Sequence, residues 1–256
     1  MNTFLKVSFF ALASSIAIAA DQKSPDGYPY PGPSAPPPKP LQVLLATGCD
    51  YPGHKWPLTA PVLAQGLCED PRADVRVVED AHFLDSAALD RYRVVVLHYM
   101  NWKTPGPGEA ARANLKRFVE GGGGLVMVHF ACGAWLEWPE FVNLAGRVWN
   151  PKLRGHDQRG PFTVKIADKE HPITKGLSDF ETDDELYTCL DGNVPIQVLA
   201  KATSKVDGKD YPMAFVLTPG KGRTFHCVLG HDVKAFNPST LELFRRGTAW
   251  AGGVQQ

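Results

Sequence analysis

Three apolar runs in the first half of the chain constrain the fold more than any other feature. Residues 41–47, 93–99 and 125–128 read LQVLLAT, RVVVLHY and LVMV. Runs of this length without polar alternation are typical of strands buried on both faces. Residues 75–78 predict a further short strand. The first half of the chain therefore predicts a buried sheet.

Helical patterns lie between these strands. Residues 58–68 and 109–120 carry apolar side chains at helical spacing, and four glycines, 121–124, end the second pattern. Alternating strands and helices imply right-handed crossovers and a parallel sheet covered on both faces. The first half of the chain is therefore predicted to be α/β.

The second half has a different pattern. Turn sequences such as Asp207-Gly208 and Pro219-Gly220 separate short segments with a period nearer to two. Part of the sheet is therefore predicted to be antiparallel, as an extension of the parallel part, and a helix over 238–251 closes the chain. The predicted strands are residues 162–166, 186–190, 196–202, 213–217 and 223–229.

Three regions divide the chain. Residues 1–20 combine a positive charge, an apolar core and small residues, which predicts a signal peptide and export to the periplasm or the exterior. Residues 21–40 are rich in proline and predict an extended linker. Residues 41–253 form the predicted domain, and no later stretch is long and apolar enough to span a membrane.

Composition excludes some partners. The chain carries 27 basic and 27 acidic residues and no arginine-rich stripe, which argues against nucleic acid as the main partner. Five cysteines without a CxxC motif leave the disulfide pairing open, and the pattern does not specify an oligomeric state. Neither GxSxG, HExxH nor a P-loop is present.

Four histidines lie at or just after predicted strand ends. An imidazole can act as an acid, a base or a metal ligand near neutral pH. Each histidine alone fits a purely structural role, but the carboxyl ends of parallel strands meet in one crevice. A shared site is therefore predicted for His54, His98, His129 and His231.

Two acidic positions are candidates to complete this site. Glu185 ends the cluster Asp183-Asp184-Glu185 and directly precedes the apolar Leu186-Tyr187, whereas the same cluster could equally be a solvated loop. Asp232 follows His231 and could orient its imidazole if the chain turns after Gly230. Capping of the following turn is an equal alternative for Asp232.

Further residues could bind a substrate. Arg154 and His156 lie in a polar loop between the two halves, and such loops often carry binding groups. Trp56 and Trp102, like Trp135 and Trp138, lie in loops near the predicted crevice, where their rings could stack against a sugar. Tryptophan is also simply large and often half-buried, which explains the same placement.

Four segments of the chain form a specific combination by their order and spacing. They are GGGLVMVHFA, EHPITKGL (170–177), DDELY (183–187) and GKGRTFHCVLGHD (220–232). Together they resemble the trehalose-utilisation, or ThuA-like, family across about residues 41–252. The resemblance implies a place in the class I glutamine amidotransferase-like superfamily, with a flavodoxin-like three-layer α/β sandwich. It also implies carbohydrate catabolism, with glycosides such as trehalose or their 3-keto forms as substrates.

The chain departs from amidotransferases at the nucleophile. His129 stands where those enzymes carry a cysteine, and His231-Asp232 lies near the position of their catalytic histidine. An imidazole is poorly suited to form an acyl-enzyme, and Cys132 lies three residues further on. Glutamine hydrolysis is therefore not expected.

Three functional hypotheses follow. In the first, a sugar-directed hydrolase, lyase or isomerase uses His129, His231, Glu185 and Asp232 for acid/base chemistry. In the second, the same residues form a metal site, in which His54, His129 and His231 together with a carboxylate hold a divalent metal such as zinc. In the third, the crevice only binds sugar, as an accessory module. An enzyme acting on a small carbohydrate is the preferred hypothesis.

Overall fold

Nine strands form one sheet in a computed structural model that describes residues 39–254. The predicted signal peptide, 1–20, and all but the last two residues of the predicted linker lie outside the described residues. In chain order the strands are β1 (Leu41–Ala46), β2 (Ala73–Val78), β3 (Val94–Leu97), β4 (Gly124–Val128), β5 (Gly160–Ile166), β6 (Phe180–Asp184), β7 (Gln197–Thr203), β8 (Asp210–Leu217) and β9 (Arg223–Cys227).

Five of the strands are parallel neighbours, in the order β2-β1-β3-β4-β9. The sheet continues beyond β9 with antiparallel pairs, in the order β9-β8-β7-β5-β6. A parallel first half and an antiparallel extension in the second half, as predicted from the two periodicities, are therefore confirmed. The protein is a mixed α/β structure.

Helices cover both faces of the parallel strands. The helices are α1 (Trp56–Cys68), α2 (Glu109–Glu120), the short α3 (Phe141–Ala145) and α4 (Pro238–Ala251). Val43 and Leu45 of β1 pack in a core with residues of α1 and α4, whereas Leu44 and Ala46 pack in a second core with residues of α2. Both faces of β1 are thus buried, which explains why all of its residues except Gln42 are apolar. None of these helices, all within residues 39–254, has the length and apolarity of a membrane span.

One predicted strand is wrong. Residues 186–190 form only an isolated bridge, between Tyr187 and His156, and the strand β6 lies just before them. The sequence of β6, FETDD, is too acidic to suggest a strand. It forms one nevertheless because β6 is the last strand at its edge of the sheet, where Glu181 and Asp183 remain accessible while Thr182 and Asp184 are buried.

The antiparallel extension curls back toward the parallel strands. Four strand spacings separate β9 from β6, about 19 Å in a flat sheet. The buried Asp184 at the end of β6 nevertheless accepts a 2.8 Å hydrogen bond from the backbone N–H of Gly230, beyond the end of β9. The curl begins in β5, which pairs with β6 through residues 160–164 and with β7 through Lys165 and Ile166. It brings the end of β6 to the carboxyl ends of the parallel strands.

Candidate functional site

Four side chains converge where the strands end. His54 follows β1, His129 follows β4 directly, His231 lies beyond β9 and Glu185 follows β6. One donor atom from each side chain lies within 4.8 Å of the corresponding atoms of the other three. The four residues are buried or nearly so, and they are the core of the candidate site.

Glu185 is at the centre of the cluster. Its Oε2 atom lies 3.3 Å from His231 Nδ1, 3.6 Å from His129 Nε2 and 3.9 Å from His54 Nε2. Its Oε1 atom lies 3.7 Å from Nε2 of His156, which was predicted from its loop position as a substrate-binding residue. One carboxylate is therefore surrounded by four imidazoles.

His129 is held in an unusual backbone conformation. Its φ angle is +46°, where β4 ends and the 3-10 turn His129–Gly133 begins. A non-glycine residue in this left-handed region costs on the order of 1–3 kcal/mol, and such strain clusters at functional sites. The Nδ1–H group of His129 donates to the Val228 carbonyl at 2.7 Å. Its Nε2 atom therefore faces Glu185, at 3.6 Å from Oε2.

His54 has its own carboxylate partner. Its Nδ1–H group donates to Asp50 Oδ1 at 3.0 Å, so that its Nε2 atom faces the cluster. Burial alone would lower the pKa of His54, but the carboxylates of Asp50 and Glu185 outweigh burial and raise this pKa to about 9. In the metal-free protein His54 therefore carries a positive charge at neutral pH.

Asp184, rather than Asp232, positions His231. The carboxylate of Asp184 accepts hydrogen bonds from the backbone N–H groups of Glu185, Gly230 and His231. Asp232 instead accepts from Arg159 at 2.7 Å and from the backbone N–H of Lys234 at 2.9 Å. Its carboxylate, placed by the turn after Gly230, thus caps a surface turn. The prediction that Asp232 serves the imidazole of His231 is corrected here.

The environment keeps Glu185 ionised. Burial opposes this ionisation, but contacts with the imidazoles of His129, His231 and His54 hold the pKa of its carboxyl well below the ordinary range. The Tyr187 hydroxyl lies 3.3 Å from His129 Nε2. Burial raises the pKa of Tyr187 well above its ordinary value, so that this hydroxyl stays protonated and can donate.

A cavity of about 450 Å³ opens onto this cluster. Aromatic rings form most of its wall, and among residues 39–254 neither a lysine nor an arginine lines it. Trp102, predicted as a substrate-binding residue, is among these aromatics and is partly exposed. The lining residues are Tyr51, His54, Trp102, Phe130, Trp149, Pro151, His156, Glu185 and Tyr187.

Three residues predicted for the site lie elsewhere. His98 is buried between the hydroxyls of Thr47 and Thr59, at 3.0 and 3.2 Å from its two ring nitrogens, and burial lowers its pKa to about 4. Arg154 points away from the cavity and pairs with Asp207 at 3.0 Å. Trp56 begins α1 and does not line the cavity. His98 and Arg154 have structural partners, which correct their predicted roles.

The structure also places residues in the site that the sequence patterns did not single out. Asp50 lies four positions before His54 in the loop after β1. This short spacing could have indicated Asp50 as a hydrogen-bond partner of the histidine. Trp149 and Tyr187 adjoin segments that were already candidates. Asp184 lies inside the acidic cluster, but its burial depends on the curl of the sheet and has no local pattern.

A second, larger groove of about 700 Å³ lies on another part of the surface. It is lined mainly by charged residues, several of which pair with one another, as Arg245 does with Glu69 and with Glu242. The described residues that line this groove include no histidine, cysteine or aromatic residue. The smaller cavity, which adjoins the buried cluster, is therefore the better candidate for a catalytic site.

The cluster allows two kinds of chemistry. Imidazoles and an ionised carboxylate can transfer protons to and from a substrate in the cavity. The same donor atoms can hold a divalent cation, because three imidazole nitrogens and one carboxylate form a familiar ligand set. Both uses place the reacting atoms of a substrate next to Glu185.

Comparison with known proteins agrees with this architecture. The family model described as "ThuA: Trehalose utilisation" matches residues 42–251. None of the curated proteins matches the chain significantly.

Three solved structures illustrate the likeness. A ThuA-like protein from Parabacteroides merdae is 26% identical with a TM-score of 0.75, over 85% of this chain and 92% of its own. A ThuA-like protein from Bacteroides uniformis is 21% identical with a TM-score of 0.67, over 87% and 95% of the two chains. A β-galactosidase from Bacillus circulans sp. alkalophilus shares the fold over 85% of this chain but only 32% of its own, with 14% identity and a TM-score of 0.57. The family match covers most of the chain, and the protein belongs to the trehalose-utilisation (ThuA) family.

Proposed function

We propose that this protein is an exported enzyme of carbohydrate catabolism that acts on a glycoside or a 3-keto sugar. The observation that carries the proposal is the position of the cluster of His54, His129, Glu185 and His231 beside an aromatic cavity. A buried ionised carboxylate ringed by imidazoles is costly to maintain, and such groups concentrate at functional sites. The family's role in trehalose utilisation supports a carbohydrate substrate.

The cavity wall also favours an uncharged sugar. Trp102, Trp149 and Tyr51 present aromatic rings to the cavity, and sugar rings stack on such faces through their C–H groups. Within the described part of the chain, the ionisable groups in the wall besides tyrosine are Glu185 and two histidines. None of these described residues is a lysine or an arginine that could neutralise the charge of a phosphorylated sugar.

The amidotransferase reaction is not part of the proposal. Cys132 is fully buried, and burial raises the pKa of its thiol far above neutrality. A thiolate nucleophile is therefore unavailable at this position. His129, at the strained end of β4, instead lies beside Glu185 in the cluster that adjoins the cavity, where its imidazole can serve a different reaction.

The chemistry follows from the groups that face the cavity. A 3-keto group acidifies the neighbouring C–H bond, and a base next to it would drive elimination or isomerisation. A metal ion in the same cluster would polarise the carbonyl and favour the same step. The parallel order β2-β1-β3-β4-β9 supports the finer proposal of a flavodoxin-like three-layer sandwich, in which ligands bind at this end of the strands.

Product analysis tests the catalytic role. Trehalose and 3-ketotrehalose are incubated with the purified protein, and products are followed by NMR. We expect conversion of one of them, with a loss of at least about 100-fold in rate for His129→Ala and Glu185→Gln. His82→Ala is the matched control, because His82 is an exposed histidine in a 3-10 turn outside the cavity lining. Turnover of the His129→Ala protein at the wild-type rate would contradict the role.

The aromatic wall also favours a second candidate, a sugar-binding module without catalysis. That candidate predicts saturable binding of trehalose by calorimetry and no product after long incubation. Trp102→Ala would weaken binding in both cases, so that only product formation separates the two functions.

Export is tested by processing. When the full chain is produced in a bacterial host, we expect the mature protein in the periplasm or medium, with its new N-terminus near Asp21. Intact-mass measurement of the fractions checks this. Recovery of uncleaved protein in the cytoplasm alone would contradict export.

A further inference from the structure

We infer that His54, His129, His231 and Glu185 form a binding site for one divalent first-row transition metal ion, of which Zn²⁺ is the reference case. The inference rests on the same cluster as the proposed function, whereas its test requires no carbohydrate. It assigns Glu185 as a fourth ligand beside the three histidines.

The distances fit a shared ion. Ligands about 2.1 Å from a tetrahedral zinc lie about 3.4 Å from one another. Oε2 of Glu185 lies 3.3, 3.6 and 3.9 Å from the facing nitrogens of His231, His129 and His54. All three separations are longer than a charge-assisted hydrogen bond, which spans about 2.7–2.9 Å. They are close to those of ligands that share one cation.

Outer partners orient two of the imidazoles for ligation. The carboxylate of Asp50 accepts the Nδ1–H of His54, and the carbonyl of Val228 accepts the Nδ1–H of His129. Each partner only accepts, which leaves Nε2 of both rings facing Glu185. Metal-binding histidines characteristically have a carboxylate or carbonyl partner of this kind.

His231 provides an independent observation. Its Nδ1 atom is buried and has no hydrogen-bond partner, because it is not aligned for a hydrogen bond with Glu185 despite the 3.3 Å separation. A buried polar atom without a partner is rare and costly. A metal ion at the centre of the cluster would satisfy this nitrogen.

The donor set selects the class of ion. Imidazole nitrogens suit zinc, iron, nickel and related ions, whereas magnesium and calcium prefer a site made of oxygen ligands. His156 is not a ligand in this assignment. Its Nε2 atom faces Oε1 of Glu185, on the side of the carboxylate away from the three histidines' contacts with Oε2.

Metal titration of the full chain tests the assignment. The protein is freed of metal with a chelator and titrated by calorimetry with ZnCl₂, MnCl₂, NiCl₂, MgCl₂ and CaCl₂. We expect one equivalent of Zn²⁺ to bind, a raised melting temperature in its presence, and no comparable response to Mg²⁺ or Ca²⁺. Failure of all three transition ions to bind stoichiometrically would overturn the inference.

Variants locate the site. Glu185→Gln and His231→Ala should weaken Zn²⁺ binding at least about 100-fold, and Asp50→Asn, which alters an outer partner, by about 10- to 100-fold. The surface control His82→Ala should keep wild-type affinity, because His82 lies outside the cluster and the cavity lining. Circular dichroism confirms that each variant is folded. Unchanged zinc affinity in folded Glu185→Gln and His231→Ala proteins would overturn the site.

The two proposals fail separately. Zinc binding at these residues without turnover of any sugar would support the metal site and contradict the proposed enzyme. Sugar turnover by a metal-free protein that binds none of the transition ions would support the proposed enzyme and contradict the metal site.

Discussion

At the scale of single residues, Asp184 fixes the backbone of the site by hydrogen bonds. Its fully buried carboxylate accepts three backbone N–H groups, two of which belong to Glu185 and His231. These bonds fix the backbone of the two functional residues and leave their side chains available to the cluster. Asp184 is therefore a positioning residue.

Replacing Asp184 by Asn tests this role. An amide has one acceptor oxygen instead of two, so that at least one buried N–H group among those of Gly230, Glu185 and His231 would lose its partner. The free energy of unfolding should fall by about 1–3 kcal/mol, measured by urea denaturation. Asp183→Asn is the matched control, because this neighbour is partly exposed and should change stability by less than about 0.5 kcal/mol. Equal stabilities of the two variants would contradict the assignment.

At the scale of secondary-structure elements, the close packing of α4 on β9 fixes the strand that leads into the site. β9 leads directly to the segment that carries Val228 and His231, and α4 packs on β9 and β4. Gly247 lies at this contact: a Cβ atom there would be 2.1 Å from Cδ1 of Phe225 in β9. The glycine therefore sets the approach of the helix to the sheet.

Gly247→Ala separates helix propensity from packing. In an isolated helix, alanine would stabilise the helix by about 1 kcal/mol relative to glycine. Here the added methyl group meets the buried ring of Phe225, and we expect a net destabilisation of about 1–3 kcal/mol by urea denaturation. Gly160→Ala, at a glycine with open space around its Cα, is the control and should be nearly neutral. A more stable Gly247→Ala protein would show that the contact relaxes without cost.

At the scale of the whole molecule, the fold contains two buried neutral histidines outside the site. His98 is held by two threonine hydroxyls, and His226 in β9 donates to the Ala145 carbonyl at 2.8 Å. Burial lowers the pKa of each to about 4 from the ordinary 6.5. Between these pH values the unfolded chain binds protons that the folded chain does not, so that the stabilisation is complete above about pH 6.5 and declines as the pH falls toward 4.

Acid should therefore lower the free energy of unfolding, and replacing one of these histidines should reduce that loss. Between about pH 7 and pH 4.5, each of these histidines should account for a loss of about 2–3 kcal/mol. His226→Gln removes one titrating group, and the difference in unfolding free energy between the two pH values should shrink by about that amount. Urea denaturation at both pH values measures it. An unchanged difference would mean that His226 is not neutral and buried in the folded state.

Much of the fold could be predicted from local patterns. A strand such as β1, buried on both faces, must be apolar at nearly every position, and a helix such as α2 must repeat its apolar residues with the helical period. Both constraints act on residues that are close in sequence, so that the resulting patterns can be recognised before the tertiary structure is known. The β6 strand had no such pattern, because its edge position lets it keep acidic residues.

The candidate site was predictable only in part, for a related reason. His54, His129 and His231 each follow a strand, and a parallel sheet alone brings such positions to one edge. By sequence position His98 met the same criterion, yet its ring lies between Thr47 and Thr59, away from the cavity. Which side of the sheet a strand-end residue faces depends on packing that no local pattern records.

The sequence by itself thus determined the parallel sheet and the row of histidines at its carboxyl edge, because burial and chain direction act locally. The tertiary structure alone decided that Glu185 lies among those histidines, and that Asp184 rather than Asp232 supports His231. Both follow from the curl of the antiparallel extension, which brings the end of β6 to the end of β9. That curl depends on contacts between residues some 46 positions apart, for which the sequence carries no periodic pattern.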